Sequence, residues 1–409
     1  MKIILAPMGS DGDIRPMIAL AKSLQQSGHK PFMVIPLNGK EICQKYHLPY
    51  HLINIDYREE LQRLLIATFR IRIAMRHDEI VAQFSELAKV VEGADLVIGG
   101  TAQFAAVHVA EALDIPYYHT PPVTIQVLPS KHYPPPLTIA RPLSQKMPGW
   151  MNQILWRIYY TLLNRIGRST INRYRRGLGL KSTRRPQEKL KRYIIAVDKA
   201  LDTVPADVKT DYVQTDYWHL FEDEKLDPEL AAFIESGPPP VYFGLGSMPQ
   251  KTPKESEKIL EEVANSLGIR MIISRGWAGF GQDIANRNIK VVGFSPHHKL
   301  FPLMSTVIHH GGGGTVHTTA WAGVPQLIIP QFSDQFHWAE RIWYLGLGPY
   351  PILKNKLTVE TLKSAIQEAI SNPKIAEHCK EVKSVVQKRE EPYKILDRLD
   401  ISWKTRKTE

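Results

Sequence analysis

Cysteine is scarce. The 409 residues hold two, Cys43 and Cys379, in no CxxC or metal-like spacing. Neither a disulfide framework nor a zinc site is indicated, and a cytoplasmic, reducing setting is expected. No stretch approaches the roughly 18 apolar residues of a membrane span, and the apolar residues 1–6 meet Gly9-Ser10-Asp11 too soon for a signal peptide. Cofactor fingerprints are missing as well. Neither Gly9-Ser10-Asp11-Gly12-Asp13 nor Gly244-Leu245-Gly246 is a GxGxxG, no GxxxxGK[ST] occurs, and the second strand ends at Pro36-Leu37-Asn38 without an acid for a ribose hydroxyl. NAD and ATP are therefore disfavoured. A composition of 43% hydrophobic and 23% charged residues excludes disorder or a fibre as a whole-chain description.

What is present in excess is positive charge, and it is local. Residues 141–192 contain fourteen Lys or Arg against one acid, Glu188, so this segment carries more than the whole net charge of +11 and the rest is slightly acidic. One strongly basic segment suggests a surface facing something anionic.

Short apolar runs alternate with amphipathic stretches. Strands are expected at 2–7, 31–36, 95–99 and 116–119, with helices at 14–24, 38–46, 59–91 and 103–113 between or after them. After the proline-rich 121–136, a helical stretch puts Trp150, Ile154, Ile158, Leu162 and Ile166 on one face. A second alternation begins near Pro240, with strands at 241–245, 270–274, 290–294, 306–309 and 326–330. This pattern predicts two parallel, doubly wound α/β domains joined at 236–240, with a ligand cleft at the carboxyl ends of the strands.

The strongest local signal is His309-His310-Gly311-Gly312-Gly313-Gly314-Thr315, after a strand and opening a helix. Its glycines let a ligand approach the backbone, and free N–H groups at a helix start favour an anion. The plainer reading is a turn beneath a buried histidine.

Five stretches carry a resemblance: GSDGDIRP (9–16), VYFGLGSM (241–248), RGWAGF (275–280), SPHHKLFP (295–302) and the block 307–348 containing HHGGGGT and SDQF. Across nearly its whole length the chain resembles the GT-B, UDP-sugar-dependent glycosyltransferases (glycosyltransferase family 1), most closely the sterol 3-beta-glucosyltransferase branch. The resemblance implies two Rossmann-like domains facing each other across a cleft: an acceptor-binding domain over 1–235, a nucleotide-sugar domain over 236–388, and a terminal segment, 389–409, crossing back to the first.

It also implies roles. Asp13 corresponds to the general base that takes the acceptor proton in one inverting displacement, giving a β-glycoside; the plainer role is a cap of the following helix, and the two can coexist. Gly12, Ser247, Trp277, His310, Gly312, Gly313, Gly314 and Thr315 match donor-binding positions, with His310 and the backbone donors stabilising the leaving diphosphate in place of a metal. Phe294 corresponds to a ring stacked on uracil and His297 to the residue whose neighbouring backbone reads its edge; for Phe294 the alternative is core packing. Asp334 and Gln335 match the acid and amide that hold sugar hydroxyls, with glucose favoured; a helix cap is the rival. UDP-glucose is a co-substrate, and no cofactor and no metal are expected.

The pattern departs from the family in three places. Asp11 stands where sterol-type relatives carry Arg, placing a second carboxylate near Asp13. Gly313 replaces the more usual Ala or Ser. The acceptor segment, about 120–192, matches poorly. Pro121, Val123, Tyr133, Met147, Trp150 and Met151 make that segment apolar and are the candidate acceptor residues, suited to a hydrophobic alcohol such as a sterol. The basic residues of 157–192, among them Arg165, Arg175, Arg176, Arg184, Arg185 and Arg192, suggest peripheral contact with an anionic membrane. Interleaved tyrosines make a nucleic-acid-binding module the rival class, but no such motif is present and none is expected to bind. A non-catalytic homologue that only binds lipid or nucleotide is the other alternative.

Overall fold

The computed structural model describes residues 1–401 apart from 67–68, 122–127, 136–146, 249–252, 278, 283, 285 and 332. The chain divides into two compact units: Met1–Val197 with Val204–Leu220 and Glu390–Glu409, and Asp198–Thr203 with Phe221–Arg389. The 236–240 segment expected to link two domains thus lies inside the second unit.

The first unit is built on a seven-stranded, wholly parallel sheet. Its strands are β1 (Lys2–Ala6), β2 (Lys30–Pro36), β3 (Tyr50–Ile53), β4 (Leu96–Gly99), β5 (Tyr117–His119), β6 (Arg192–Ala196) and β7 (Asp211–Thr215), in spatial order β3-β2-β1-β4-β5-β6-β7. β1 is apolar almost without interruption because it is central and covered on both faces. Ile3 and Leu5 pack with Ile14, Ile18 and Leu24 of the helix Asp11–Gln26, while Ile4 and Ala6 pack with Ile80 and Phe84 of the helix Phe69–Leu87. The terminal 3-10 turn Pro392–Arg398 closes the first of these layers, with Ile395 fully buried and the Tyr393 N–H donating to Ser23 Oγ at 3.1 Å.

The second unit has five parallel strands: β8 (Val241–Gly244), β9 (Met271–Ser274), β10 (Ile289–Val292), β11 (Thr306–His309) and β12 (Gln326–Ile328), ordered β10-β9-β8-β11-β12. Every pairing is parallel, so all five carboxyl ends open on one edge.

Both sheets reverse direction at one place. In the first unit the order turns at β1, flanked by β2 and β4; in the second it turns between β8 and β11, where His309 pairs with Gly244. Ligands of open parallel sheets bind where the strand order reverses, outside the carboxyl ends. The two glycine-rich loops, 7–10 and 310–312, leave their sheets at those points.

The sequence pattern misses β3, β6, β7 and the helix Arg168–Gly177. β3 is four residues with a histidine in the middle, and β7 is an edge strand, so neither offers a long apolar run. The helical stretch expected at 59–91 is two helices, Tyr57–Ile66 and Phe69–Leu87. Among the described residues no helix is long and apolar enough to cross a membrane.

Candidate active site

Asp13 lies in the first turn of the helix that follows β1. Its Oδ2 accepts from the Ser10 backbone N–H at 2.9 Å and from the Ser10 hydroxyl at 3.2 Å. The carboxylate therefore closes the start of the helix, so the capping role is real. Gly9, at φ +136°, leaves no room for a side chain: a Cβ there would lie 2.3 Å from Asp13 Oδ2. Among the described residues Oδ1 has no hydrogen-bond partner and remains to accept from a ligand. Asp13 keeps part of its surface open, yet the protein packed about its carboxyl removes enough water to push its pKa up to about 6. Burial is the dominant cause, and the neighbouring Asp11 charge adds less than the Ser10 bonds subtract. Asp11 itself is raised by burial, against the lowering pull of Arg15 and Arg58.

Groups distant in sequence support this loop. Asn38 donates to the Gly9 carbonyl at 3.2 Å and accepts from the Tyr57 N–H at 3.3 Å. The Tyr57 hydroxyl donates to Glu79, which Arg76 holds at 2.6 Å, and the Asp13 charge is among the causes that raise the Tyr57 pKa. At the carboxyl end of β5, His119 is buried, bonded to the Tyr117 hydroxyl at 3.1 Å, and held neutral by burial, its pKa lowered to about 4. None of these was foreseen; apart from the Arg76–Glu79 pair, their partners lie 19 or more residues away, or on an apolar strand with no distinctive pattern.

In the second unit, the loops after β8, β9 and β11 interlock around His310. Gly246 (φ +58°) would place a Cβ 2.8 Å from the His310 ring, and Gly312 one 2.4 Å from His310 Nε2. Gly276, also at positive φ, lies against the Gly246 carbonyl, which accepts from the Trp277 N–H at 3.0 Å. Here glycine is needed because backbone must touch an imidazole. His310 Nδ1 is buried with no hydrogen-bond partner among the described residues, and burial lowers its pKa to about 4. It is thus a neutral imidazole with an unused polar atom.

The preceding histidine fixes the turn. His309 Nδ1 accepts from the Gly311 N–H at 3.1 Å, so Nε2 carries the proton and donates to Gln326 Oε1 at 3.0 Å. The helix Gly313–Ala322 starts immediately beyond, leaving the N–H groups of Gly313, Gly314 and Thr315 without intrahelical acceptors. His317 donates from Nδ1 to the Gly313 carbonyl at 2.7 Å and secures that first turn from within. Its function as a strut was missed, because a helical histidine in this block carries no local signal of burial.

The remaining expected donor residues lie at the carboxyl edge of the second unit's sheet, except Gly12, which belongs to the first unit. Ser247 lies in the loop after β8 and Gly12 in the first turn after β1. Phe294 is 60% exposed, which removes core packing as its role. His297 accepts from or donates to the Tyr242 hydroxyl at 3.2 Å and stacks on Phe301 at 4.4 Å. Asp334 occupies the cap position of the helix Gln335–Tyr344 without making a side-chain cap bond. Gln335 is buried, its Oε1 accepting from the Gln331 N–H at 2.8 Å and its amide donating to Met248 Sδ at 3.2 Å, a weak acceptor.

The acceptor candidates are less concentrated. Pro121 is buried after β5, and Tyr133 gives its carbonyl to the Trp156 indole N–H at 2.8 Å. Met147 and Met151 are half-buried about the start of the helix Gly149–Arg165, while Trp150 is 61% exposed; Val123 lies outside the described residues. One expectation for the basic segment is corrected. Arg175 is only 2% exposed and belongs to no outer surface: it grips Glu111 at 2.6 and 3.2 Å, bonds His108 at 2.8 Å, and donates to the Lys181 carbonyl. A buried guanidinium needs such partners, and Glu111 supplies the charge.

Two family models match the chain: the glycosyltransferase family 28 N-terminal domain over residues 3–123, and the C-terminal domain of erythromycin biosynthesis protein CIII-like proteins over 276–401. The vancomycin aglycone glucosyltransferase of Amycolatopsis orientalis is 32% identical over 91% of this chain and 90% of its own length. A sterol 3-beta-glucosyltransferase of Arabidopsis thaliana is 30% identical over 90% of this chain, which spans 62% of that relative. Among solved structures, the spinosyn forosaminyltransferase SpnP superposes with a TM-score of 0.72 at 16% identity over 98% of both chains. The glycosyltransferase VinC, solved with dTDP, gives 0.68 at 15% identity over 97% of this chain and 98% of its own. A loop-held carboxylate at one switch point, a glycine-wrapped imidazole at the other, and full-length similarity to glucosyltransferases make this chain a member of the GT-B glycosyltransferases.

Proposed function

We propose that the protein transfers glucose from UDP-glucose to the hydroxyl of a sterol or similar hydrophobic, lipid-like alcohol at a membrane surface, with inversion to a β-glycoside and without a metal. The observation that carries this reading is Asp13: a carboxylate with a pKa of about 6 and one oxygen that takes no hydrogen bond from another residue among those described. A base of that strength is largely ionised at neutral pH, yet accepts a proton more readily than an ordinary aspartate.

In the proposed reaction the acceptor hydroxyl donates to Asp13 Oδ1. Its oxygen attacks the anomeric carbon, its proton passes to Asp13, and the bond from that carbon to the diphosphate oxygen breaks. UDP carries away the electron pair. The first-turn N–H groups of Gly313, Gly314 and Thr315, with an N–H of neutral His310, receive the growing charge. Ser247 is assigned to the diphosphate, Trp277 to the same donor loop cluster, and Phe294 and His297 to the base. Asp334 and Gln335 are assigned to the sugar, Gln335 exchanging its thioether contact for a hydroxyl.

Glucose is supported by both relatives, each of which is a glucosyltransferase. The acceptor is supported by the sterol relative and by the apolar residues about 121–151. A second reading, transfer to a phenolic natural-product aglycone, is favoured by the vancomycin aglycone relative, which this chain matches over nearly its full length. The test is UDP release by purified protein with a panel of sugar nucleotides, each against a sterol, a flavonoid and diacylglycerol, with EDTA throughout. Turnover of UDP-glucose with a sterol alone supports the first reading. Turnover with the flavonoid alone moves the acceptor, and dependence on added metal refutes the proposed handling of the diphosphate.

A further inference from the structure

The helix Gly149–Arg165 has an unusual outer face. Trp150, Ile154, Ile158 and Leu162, each four residues on, stand 61%, 43%, 48% and 50% exposed. Four-residue steps make one continuous ridge on a helix. The inward side is anchored separately, by the buried Trp156 and by Asn152, which donates to the Lys131 carbonyl at 2.7 Å.

Alongside this ridge the same helix walls a cavity of about 1420 Å³, completed by residues of the 129–131 and 206–210 loops, by Asp211 at the start of β7 and by Leu190, Lys191 and Tyr193. Eight cationic side chains line it against two carboxylates, Asp207 and Asp211. Asp207 is already engaged by the Ser130 hydroxyl at 2.8 Å and the Lys131 N–H at 2.6 Å. Among the described residues Arg157, Arg168, Arg184 and Lys191 form no ion pair. Arg157, seven residues after Trp150, stands on the helix between ridge and cavity, joining the two surfaces.

We infer that this cavity receives the phosphate headgroup of an anionic phospholipid, while the ridge beside it enters the acyl region of the same leaflet. Charge complementarity selects the headgroup, because unpaired guanidinium groups held in a concavity form bidentate bonds to phosphate oxygens. The ridge selects lipid over a soluble polyanion: a bare phosphate or a nucleic acid gains nothing from Trp150, Ile154, Ile158 and Leu162, whereas an interfacial helix buries such residues beside basic ones. Tyr160, half-buried on the cavity wall, suits the amphipathic boundary between the two regions. This deepens the membrane-surface reading above by naming the lipid class and the docking element, but it needs neither donor nor acceptor for its test.

The experiment is sedimentation of the full chain with phosphatidylcholine vesicles, with and without phosphatidic acid. Binding is expected only with the acidic lipid and should fall steeply as salt is raised. Arg157→Gln/Arg168→Gln/Arg184→Gln should weaken it roughly a hundredfold, at about fivefold per charge. Ile154→Ser/Ile158→Ser should weaken it as well, although no charge is altered. Unchanged UDP binding and thermal midpoints show that the variants are folded. Equal binding to pure phosphatidylcholine, insensitivity of the wild type to salt, or a triple variant that binds as before overturns the proposal. So does a single-stranded oligonucleotide that binds as tightly as the vesicles and is unaffected by the serine variant. Vesicle binding without sterol glucosylation would sink only the acceptor assignment.

Discussion

Replacing Asp13 by Asn should separate catalysis from stability in opposite directions. The carboxyl titrates near pH 6 in the folded protein, against 3.8 for an ordinary aspartate, and burial is the main cause. Between about pH 4 and 6 the folded state therefore binds more protons than the unfolded one, and stability falls as pH rises through that window. Keeping Asp13 ionised above it costs about 2 to 3 kcal/mol, allowing for the part of the side chain that still meets water. Asn is nearly isosteric, and its Oδ1 can accept the same Ser10 bonds. The variant should be more stable than wild type by that amount in urea unfolding at pH 8, with the gain shrinking towards zero at pH 4. Its transfer rate should drop by 10² to 10⁴, while UDP binding is unchanged. In the wild type, kcat/KM should fall tenfold per pH unit below about pH 6. A variant equal to or weaker than wild type in stability at pH 8 would refute the desolvated carboxylate, and retained transfer would refute its role as base.

Gly312→Ala drives a methyl into His310 Nε2, so the imidazole must swing away; UDP affinity by calorimetry should fall at least about tenfold, the loss of one charge-assisted bond, with the fold intact by circular dichroism. His310→Ala should reduce transfer about a hundredfold, as for loss of one preorganised donor, and because His310 is neutral above about pH 4 the wild-type profile should show no second ionisation from it between pH 6 and 8. Arg175→Met removes the bidentate partner of Glu111 and the donor to His108 and the Lys181 carbonyl; because Glu111 is one-third exposed and keeps Lys189 at 2.8 Å, the cost in urea unfolding should be about 1 to 3 kcal/mol. EDTA should leave initial rates unchanged; a fall reversed by magnesium would contradict the proposed handling of the diphosphate without a metal.

How far the sequence could be read depended on how far apart the deciding partners lie. β1 and β11 are apolar runs that end in glycine-bearing turns, and both the strand and its loop are local patterns, so the two loops were recognisable from a dozen residues each; the strand order that makes them switch points depends on pairings the local pattern does not carry. The capping and catalytic readings of Asp13 could not be separated, because Ser10 and Asp13 satisfy both at once; only the desolvation of the carboxyl adds the chemical information. Arg175 reads as one more surface charge beside Arg176, yet a partner 64 residues away takes it into the interior. Charge is written in the sequence and its pairing is not. The ridge of Trp150, Ile154, Ile158 and Leu162 makes the converse case. Its spacing announces a helix face unambiguously, but the same spacing serves a face pressed onto a sheet and a face held in water. The helix meets its own unit through Asn152 and Trp156 instead, and the ridge is left outside. Exposed apolar surface forfeits roughly 25 cal/mol for every Å² not covered. A chain that buries Trp156 on one turn and leaves Trp150 bare on another, beside arginines that form no ion pair among the described residues, has spent its apolar surface where a lipid can recover the loss.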